Sequence, residues 1–305
     1  MSGEKRVIAL GFFDGVHVGH AALLEMTKRR AAEKGGIPTV LTFDVHPDNL
    51  VKGCNVPLLT SPEGRVDTIR RYFGIESVIF IHFNQTLMRM HWRLFLDALA
   101  AEMNACHFVV GHDFCFGWKG EGTPERRKEY CAENGLGCDV IPAVKLDGVT
   151  VSSTLIRQLI GEGDITRANR LLGHPHSLID TVGYGYQLGM KIGTPTINMR
   201  FADGVLVPRY GVYATKVFLE NGSENELIAV TNIGVRPTVA GEERVSVESY
   251  ILDFSGNLYD HRVRVEFHAF LRPEEKFSSI HELKTQIMRD AESTREYFEK
   301  EQVKE

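Results

Sequence analysis

The change of hydrophobic pattern near Gly173 most restricts what this chain can fold into. Before it, short apolar runs alternate with amphipathic helical segments; after it, β-type runs follow one another with no helix between them. The runs Val7 to Leu10, Thr39 to Phe43, Val78 to Ile81, Phe108 to Val110 and Asp139 to Ile141 read as buried strands. Alternation of this kind implies a parallel sheet with helices on both faces, an α/β unit with a Rossmann-like parallel sheet. Ser61-Pro62 and Thr123-Pro124 each place a capping hydroxyl before a proline, and Leu94, Phe95, Ala98 and Leu99 form the expected apolar stripe of a further helix.

From Ile179 to Phe270 the runs Gly211 to Phe218, Leu227 to Thr231, Val245 to Leu252 and Val263 to Phe270 are separated by glycine and asparagine turns. They predict a small all-β antiparallel barrel or sandwich. Ser279 and Glu282 then open an amphipathic helix running to about Phe298 through a capping box. The expected domains are residues 1–172 and 173–305.

Chemistry concentrates in the run Gly11-Phe12-Phe13-Asp14-Gly15-Val16-His17-Val18-Gly19-His20. Two imidazoles three residues apart share one helical face, so both can meet one bound phosphate chain. The glycines permit close backbone approach, and a helix starting near His20 offers unpaired N–H groups to an anion. Two blander readings stay open: a tight turn whose histidines cap and pack, or Asp14, His17 and His20 as zinc ligands. The spacing matches neither the dinucleotide G-x-G-x-x-G nor a P-loop.

Further segments add phosphate-binding chemistry. Val151-Ser152-Ser153-Thr154-Leu155-Ile156-Arg157 sets three hydroxyls at a helix start and a guanidinium on the next face, a clamp for a polyphosphate or simply a well-capped helix. Gly111-His112-Asp113-Phe114-Cys115-Phe116-Gly117 leaves a strand at the carboxyl edge of the sheet, where doubly wound folds take ligands.

Composition removes several function classes. The net charge is −5; residues 1–172 hold 20 basic against 20 acidic side chains, and residues 173–305 hold 15 against 20. Neither half is a basic face for an extended nucleic acid, so bound phosphates are those of a small nucleotide. No apolar run reaches membrane-span length, and five cysteines without CxxC spacing read as reduced thiols of a cytoplasmic protein. No nucleic acid or membrane partner is expected. Oligomeric state is not encoded in any pattern here.

In this order the segments resemble the bacterial bifunctional riboflavin kinase/FAD synthetase family along nearly the whole chain. Gly11 to His20 matches its G-x-FDG-x-H-x-GH motif, and Thr42, Phe43, His46 and Pro47 match T-F-x-x-HP. Val110 to Gly117 matches VG-x-DF-x-FG, and Val151 to Arg157 matches [IV]SST-x-IR. In the second half Pro195-Thr196-Ile197-Asn198 stands where the family has PTAN. Asn232-Ile233-Gly234 with Arg236-Pro237-Thr238 matches N-I-G-x-[RN]-PT, Glu248 fits the family's glutamate, and Leu271-Arg272-Pro273 with Lys276-Phe277 fits LRPE-x-KF.

The resemblance implies two ATP-dependent activities. Residues 173–305 would phosphorylate riboflavin to FMN, with Glu248 as general base and Thr196 and Asn198 holding Mg²⁺. Residues 1–172 would join FMN to AMP, giving FAD and pyrophosphate, with His17 and His20 acting at the α-phosphorus. It further implies ATP or phosphate contacts for Gly11, Phe12, Asp14, Gly19, Asp113, Ser152, Ser153, Thr154, Arg157, Lys191 and Pro195, and flavin contacts for Phe43, His46, Pro47, Asn232 and Arg272. The chain departs from the family where Cys115 replaces the arginine of D-F-R-F-G, where Met190 and Thr194 alter the segment before the PTAN equivalent, and where Tyr250 replaces a common histidine. Two alternatives stay open: a nucleotidyltransferase with another acceptor, because HxGH reports α-phosphate chemistry and not the second substrate, or, from the departures at Met190, Thr194 and Tyr250, an adenylyltransferase with a flavin-binding but nonenzymatic second half. An aminoacyl-tRNA synthetase-like reading, which shares HxGH, lacks a KMSKS run.

Overall fold

Five parallel strands in the order β3-β2-β1-β4-β5 organise the first of two compact units, residues 1–153, in a computed structural model that describes residues 4–184, 193–220, 226–237 and 243–303. The strands are β1 (Arg6–Leu10), β2 (Ile37–Phe43), β3 (Ser77–Ile81), β4 (Ala105–Gly111) and β5 (Gly137–Ile141), each containing the apolar run expected there. Helices α1 (Val18–Lys34), α2 (Pro47–Val51), α3 (Pro62–Phe73), α4 (Gln85–Arg89), α5 (Trp92–Glu102) and α6 (Pro124–Glu133) fill the connections. A short hairpin, β6 (Lys145–Leu146) with β7 (Val149–Thr150), follows β5.

Side chains alternate across the sheet, so each strand feeds two cores. Val7, Ala9, Val40 and Val109 meet Leu23, Leu24 and Ala31 of α1 with Ile69 of α3. Ile8, Leu10, Leu41, Phe108 and Val110 meet α5 and Tyr130 of α6 on the opposite face. The stripe expected on α5 needs correction: Leu94 is 60% exposed, while Trp92, Phe95, Leu96 and Leu99 are buried. Trp92 at the first helical position rotates the apolar face away from Leu94. Both Pro-initiated helices start as expected, Ser61 Oγ accepting from the Gly64 amide at 3.0 Å and Thr123 Oγ1 from the Arg126 amide at 3.4 Å.

The second unit, residues 154–305, is built on a six-stranded antiparallel sheet in the order β8-β13-β10-β11-β12-β9. Its strands are β8 (His176–Thr181), β9 (Thr196–Met199), β10 (Gly211–Leu219), β11 (Glu226–Pro237), β12 (Glu243–Ile251) and β13 (Arg262–Arg272). The sheet curls until Gly183, just past one edge strand, donates its amide to Asn198 O on the other edge at 2.9 Å. A row of hydroxyls, Thr215, Thr231 and Ser249, is linked by two 2.7 Å hydrogen bonds in its fully buried interior.

Helices α7 (Ser153–Glu162) and α8 (Ile165–Leu172) precede this sheet, and α9 (Ile280–Gln302) ends the unit. The compact units therefore divide after Ser153, earlier than the change of sequence pattern at Gly173. The reason is local: α8 buries Ile165, Ala168, Leu171 and Leu172, and the Asn169 side chain donates to Phe267 O at 2.7 Å and accepts from the His176 amide at 2.8 Å. At the start of α9 the capping box forms in a shifted version. Ser279 Oγ accepts from the Glu282 amide, and the Glu282 carboxylate accepts mainly from the amide and hydroxyl of Ser278, with a lesser contribution from the Ser279 amide.

Candidate active sites

Strand order reverses between β1 and β4, and the segments leaving their carboxyl ends are the two glycine-bearing motifs. In open α/β sheets this crevice is where ligands bind. After Leu10 the backbone turns sharply, with Phe13 and Val16 at φ 53° and 42° and Gly15 at 75°. Such strain in two non-glycine residues is held by its surroundings. Asp14, expected to meet phosphate, is instead buried, its carboxylate accepting the Leu59 amide at 2.9 and 3.0 Å and the Thr60 amide at 3.3 Å. It anchors the turn. Ser153 Oγ donates to Asp14 O at 3.0 Å, so the second hydroxyl motif also reaches this turn.

Helix α1 begins at Val18, two residues before His20, with His17 as its cap. His17 Nδ1 accepts from the His20 amide at 3.2 Å. The two imidazoles stack with centroids 3.7 Å apart and planes 10° from parallel, and Gly19 makes room, since a Cβ there would lie 3.0 Å from the His17 ring. With Nδ1 used as acceptor, a neutral His17 carries its proton on Nε2. His20 lies against Phe13 at 5.1 Å and has its Nδ1 buried with no hydrogen-bond partner. Burial, then the positive potential of His17 and of Arg65, holds its pKa well below the usual histidine value. At neutral pH His20 is an uncharged imidazole.

Beside this turn, Phe12 packs edge-on against His46 at 4.8 Å, and His46 caps α2 by accepting the Asp48 amide. Phe43, Pro47, Phe83, Phe114, Phe116 and Trp118 line an apolar cavity of roughly 600 Å³. Its flat aromatic walls suit a ring system of flavin size. Of the expected flavin residues of this unit, Phe43 and Pro47 line the cavity and His46 does not. Cys115 lines it too, exposed and reduced. Asp113 is exposed, with Oδ1 so close over Gly111 that a Cβ there would sit 3.1 Å away. Thr154 is exposed and Arg157 half-buried on α7, within the second unit.

Sequence reasoning missed Arg65, a fully buried cation in the first turn of α3. An arginine among apolar neighbours on an amphipathic helix was the available signal.

In the β unit, antiparallel register aligns the expected residues. Glu248 on β12 is opposite Asn232 on β11 and Asn198 on β9, so a half-buried carboxylate stands between two carboxamides on one face. Thr196 shares that face of β9, two residues from Asn198. A second cavity, roughly 510 Å³, is lined by Pro195, Thr196, Asn198, Phe254, Asn257 and Tyr259. Asn232 Nδ2 donates to Glu274 Oε1 at 3.2 Å, and the Glu274 carboxylate lies over Gly234, so a Cβ there would displace it. Arg272 is turned elsewhere: its guanidinium forks onto Asp290 of α9, at 2.9 Å from Nε and 2.8 Å from Nη2. Lys191 and Met190 lie outside the described residues.

Thr196 and Asn198 suit a hard cation that keeps most of its water. They offer neutral oxygens from one strand face, and a phosphate-bound Mg²⁺ asks for little more from the protein. Among the described residues no group of three or more His, Cys, Asp or Glu side chains is placed to hold a metal.

Comparison with known proteins agrees with this geometry. A family model for FAD synthetase matches residues 1–155, and one for riboflavin kinase matches residues 172–298. The bifunctional riboflavin kinase/FMN adenylyltransferase of Listeria monocytogenes is 34% identical over 298 residues, covering 97% of this chain and 93% of the relative. That of Pseudomonas fluorescens is 35% identical over 95% of this chain and 92% of the relative. A crystal structure from Streptococcus pneumoniae, described as a macrolide-efflux protein, superposes with a TM-score of 0.84 at 28% identity over 97% of this chain and 95% of that one. Among the described residues no helix is long and apolar enough to cross a membrane. With both family models present and relatives matched nearly end to end, the chain belongs to the bifunctional riboflavin kinase/FMN adenylyltransferase family, whose members convert riboflavin to FMN and FMN to FAD at the expense of ATP.

Proposed function

We propose that the two activities are divided between the two sites, adenylyl transfer at the His17–His20 turn and riboflavin phosphorylation at the Asn198–Glu248–Asn232 row. The observation that carries the first assignment is the stacked imidazole pair at the strand-order reversal, beside an aromatic cavity of flavin size. In this reading residues 1–172 are the adenylyltransferase and residues 173–305 the kinase.

For adenylyl transfer, the isoalloxazine ring occupies the cavity between Phe43, Phe114 and Trp118, and the FMN phosphate faces the turn. A phosphate oxygen of FMN attacks the α-phosphorus of ATP, the bond to the bridging oxygen breaks, and pyrophosphate leaves. No protein nucleophile takes part. The imidazole N–H groups of His17 and His20 donate to the non-bridging oxygens as charge builds on them, which is where fixed donors act most strongly. Gly11, Phe12 and Gly19 allow the nucleotide close to the backbone, and Ser152 and Ser153 take the departing phosphates, a task the family motif extends to Thr154 and Arg157 and, for nucleotide orientation, to Asp113.

For phosphorylation, Glu248 accepts the proton of the ribityl hydroxyl as that oxygen attacks the γ-phosphorus of ATP and ADP leaves. Asn198 and Asn232 flank the carboxylate and orient the two substrates around it. Thr196 and Asn198 would hold Mg²⁺, which when bound neutralises charge on the phosphate oxygens. Pro195 shapes the nucleotide cavity. Lys191 remains a phosphate contact by family motif alone, and Arg272 supports the flavin side through its fork on Asp290. Five free cysteines support a reducing, cytoplasmic setting.

Incubating the purified chain with riboflavin and MgATP and resolving the flavins by chromatography tests the reading. FMN should appear first and FAD after it. FAD formation from supplied FMN without any phosphorylation of riboflavin would leave the second half a flavin-binding module.

A further inference from the structure

Arg65 has no place in the motifs above, yet it is among the largest fully buried side chains of the molecule. Its contacts join segments distant in sequence. Nη1 donates to Thr42 Oγ1 at 2.8 Å and to Phe43 O at 2.9 Å, at the end of β2. Thr42 Oγ1 passes the connection on by donating to Phe12 O at 2.7 Å. The guanidinium carbon lies 4.6 Å from the centre of the Phe12 ring and 5.6 Å from that of Phe80. Arg65 thus reaches Phe12 twice, directly at its ring and through Thr42 at its carbonyl.

A buried guanidinium is an expensive way to fill space, and apolar packing of similar volume usually serves stability as well or better. Nε and Nη2 have no hydrogen-bond partner among the described residues. Desolvation lowers its pKa to about 10, with the carboxylates of Asp14 and Asp44 opposing that fall, so the group stays charged at neutral pH. The charges facing one another here are Arg65 on α3, Asp14 on the turn, Asp44 after β2, and the His17 and His20 rings.

We propose that Arg65 is a positioning residue for adenylyl transfer: it pins the Phe12–Asp14 turn to the end of β2, and its buried charge sets the electrostatic field in which His17 and His20 work. This rests on the assignment of those histidines to the α-phosphorus. The grip on Phe12 fixes where the turn stands, and a small displacement of donors from a transition state is costly in rate. The positive charge opposes protonation of His20, keeping its ring uncharged.

The test compares Arg65→Gln and Arg65→Lys in the full chain. FAD formation from FMN, FMN formation from riboflavin, thermal unfolding and the titration of the His20 ring by NMR are measured, with His20→Gln to identify the signal. Arg65→Gln is expected to lower kcat for adenylylation by about ten- to a hundredfold, to leave riboflavin phosphorylation unchanged, and to move the His20 titration to higher pH. Arg65→Lys keeps the charge, so it should leave the His20 titration in place while still lowering kcat. Where Arg65→Gln fails to fold, Arg65→Lys decides on kcat and titration. A folded variant with adenylylation within twofold of the parent overturns the proposal, as does a lysine variant whose His20 titrates as in the glutamine variant. Full FAD formation by His20→Ala would instead overturn the underlying assignment, whatever Arg65 does.

Discussion

Leu10 and Val110 lie side by side in the parallel register of β1 and β4, each one residue short of a glycine that opens one of the two motif segments. A hundred residues apart in the chain, they bring the histidine turn and the aromatic loop to one edge of the sheet. Chemistry at the turn should therefore depend on both segments, and four expectations follow from the geometry.

In the proposed adenylyl-transfer site, replacing His20 with alanine removes one of two imidazole donors. Loss of a donor of this type costs about 10²–10³ in kcat. FAD formation from FMN should fall by that factor, while riboflavin phosphorylation by the same preparation stays at the parent rate. Chromatography of the two product flavins reads both.

Glu248→Gln keeps the shape of the row between Asn198 and Asn232 but removes the carboxylate proposed as proton acceptor. General-base assistance contributes about 10²–10⁴ in rate. FMN formation should drop accordingly, whereas FAD formation from supplied FMN should be unaffected. An unchanged rate of FMN formation would exclude Glu248 as the base.

His176 is buried on β8 against Phe267, and burial, with a smaller contribution from His174, pushes its pKa down to about 4. In the unfolded chain the imidazole titrates near its ordinary value of 6.5, so between those two values the unfolded state binds more protons. Stability is then fully present above about pH 6.5 and falls as the pH drops toward 4, by up to about 3 kcal/mol from this group. Urea unfolding midpoints at pH 7.5 and 4.5 should show the loss, and His176→Gln should flatten it. His20 and His107, shifted in the same direction, leave a residual slope.

Gly117 has φ +76°, and a Cβ there would sit 2.7 Å from the Trp92 Cβ and 2.8 Å from its Cα. Alanine at this position must move either the loop or the start of α5. A loss of about 1–3 kcal/mol is expected, together with a raised KM for FMN because the neighbouring Phe116 and Trp118 form cavity walls. A melting curve and FMN titration of adenylylation check the two effects separately.

Much of the architecture was legible before any coordinates. Period-2 and period-3.6 patterns report which face of an element is buried, and that depends on residues close together in the chain. All five predicted strands of the first unit and the four later β runs occur where the pattern put them. The errors are of one kind. The apolar spacing puts Leu94 on the buried face although Trp92 sets the helix phase, and the motif gives Asp14 to phosphate although the backbone amides of Leu59 and Thr60 claim its carboxylate. Burial of a polar group is decided by partners that periodicity does not reveal.

Taken alone, the amino-acid order determined the two-part plan, the places of strands and helices, and the motifs that carry phosphate chemistry, because each arises from interactions within a few residues. Tertiary structure alone decided which strands are neighbours, that Glu248 faces Asn198 and Asn232, that His17 caps α1 and stacks on His20, and that Arg65 is buried beneath Phe12. The physical reason is that strand register and the desolvation of charge depend on contacts between segments tens of residues apart, which exist only once the chain has closed on itself.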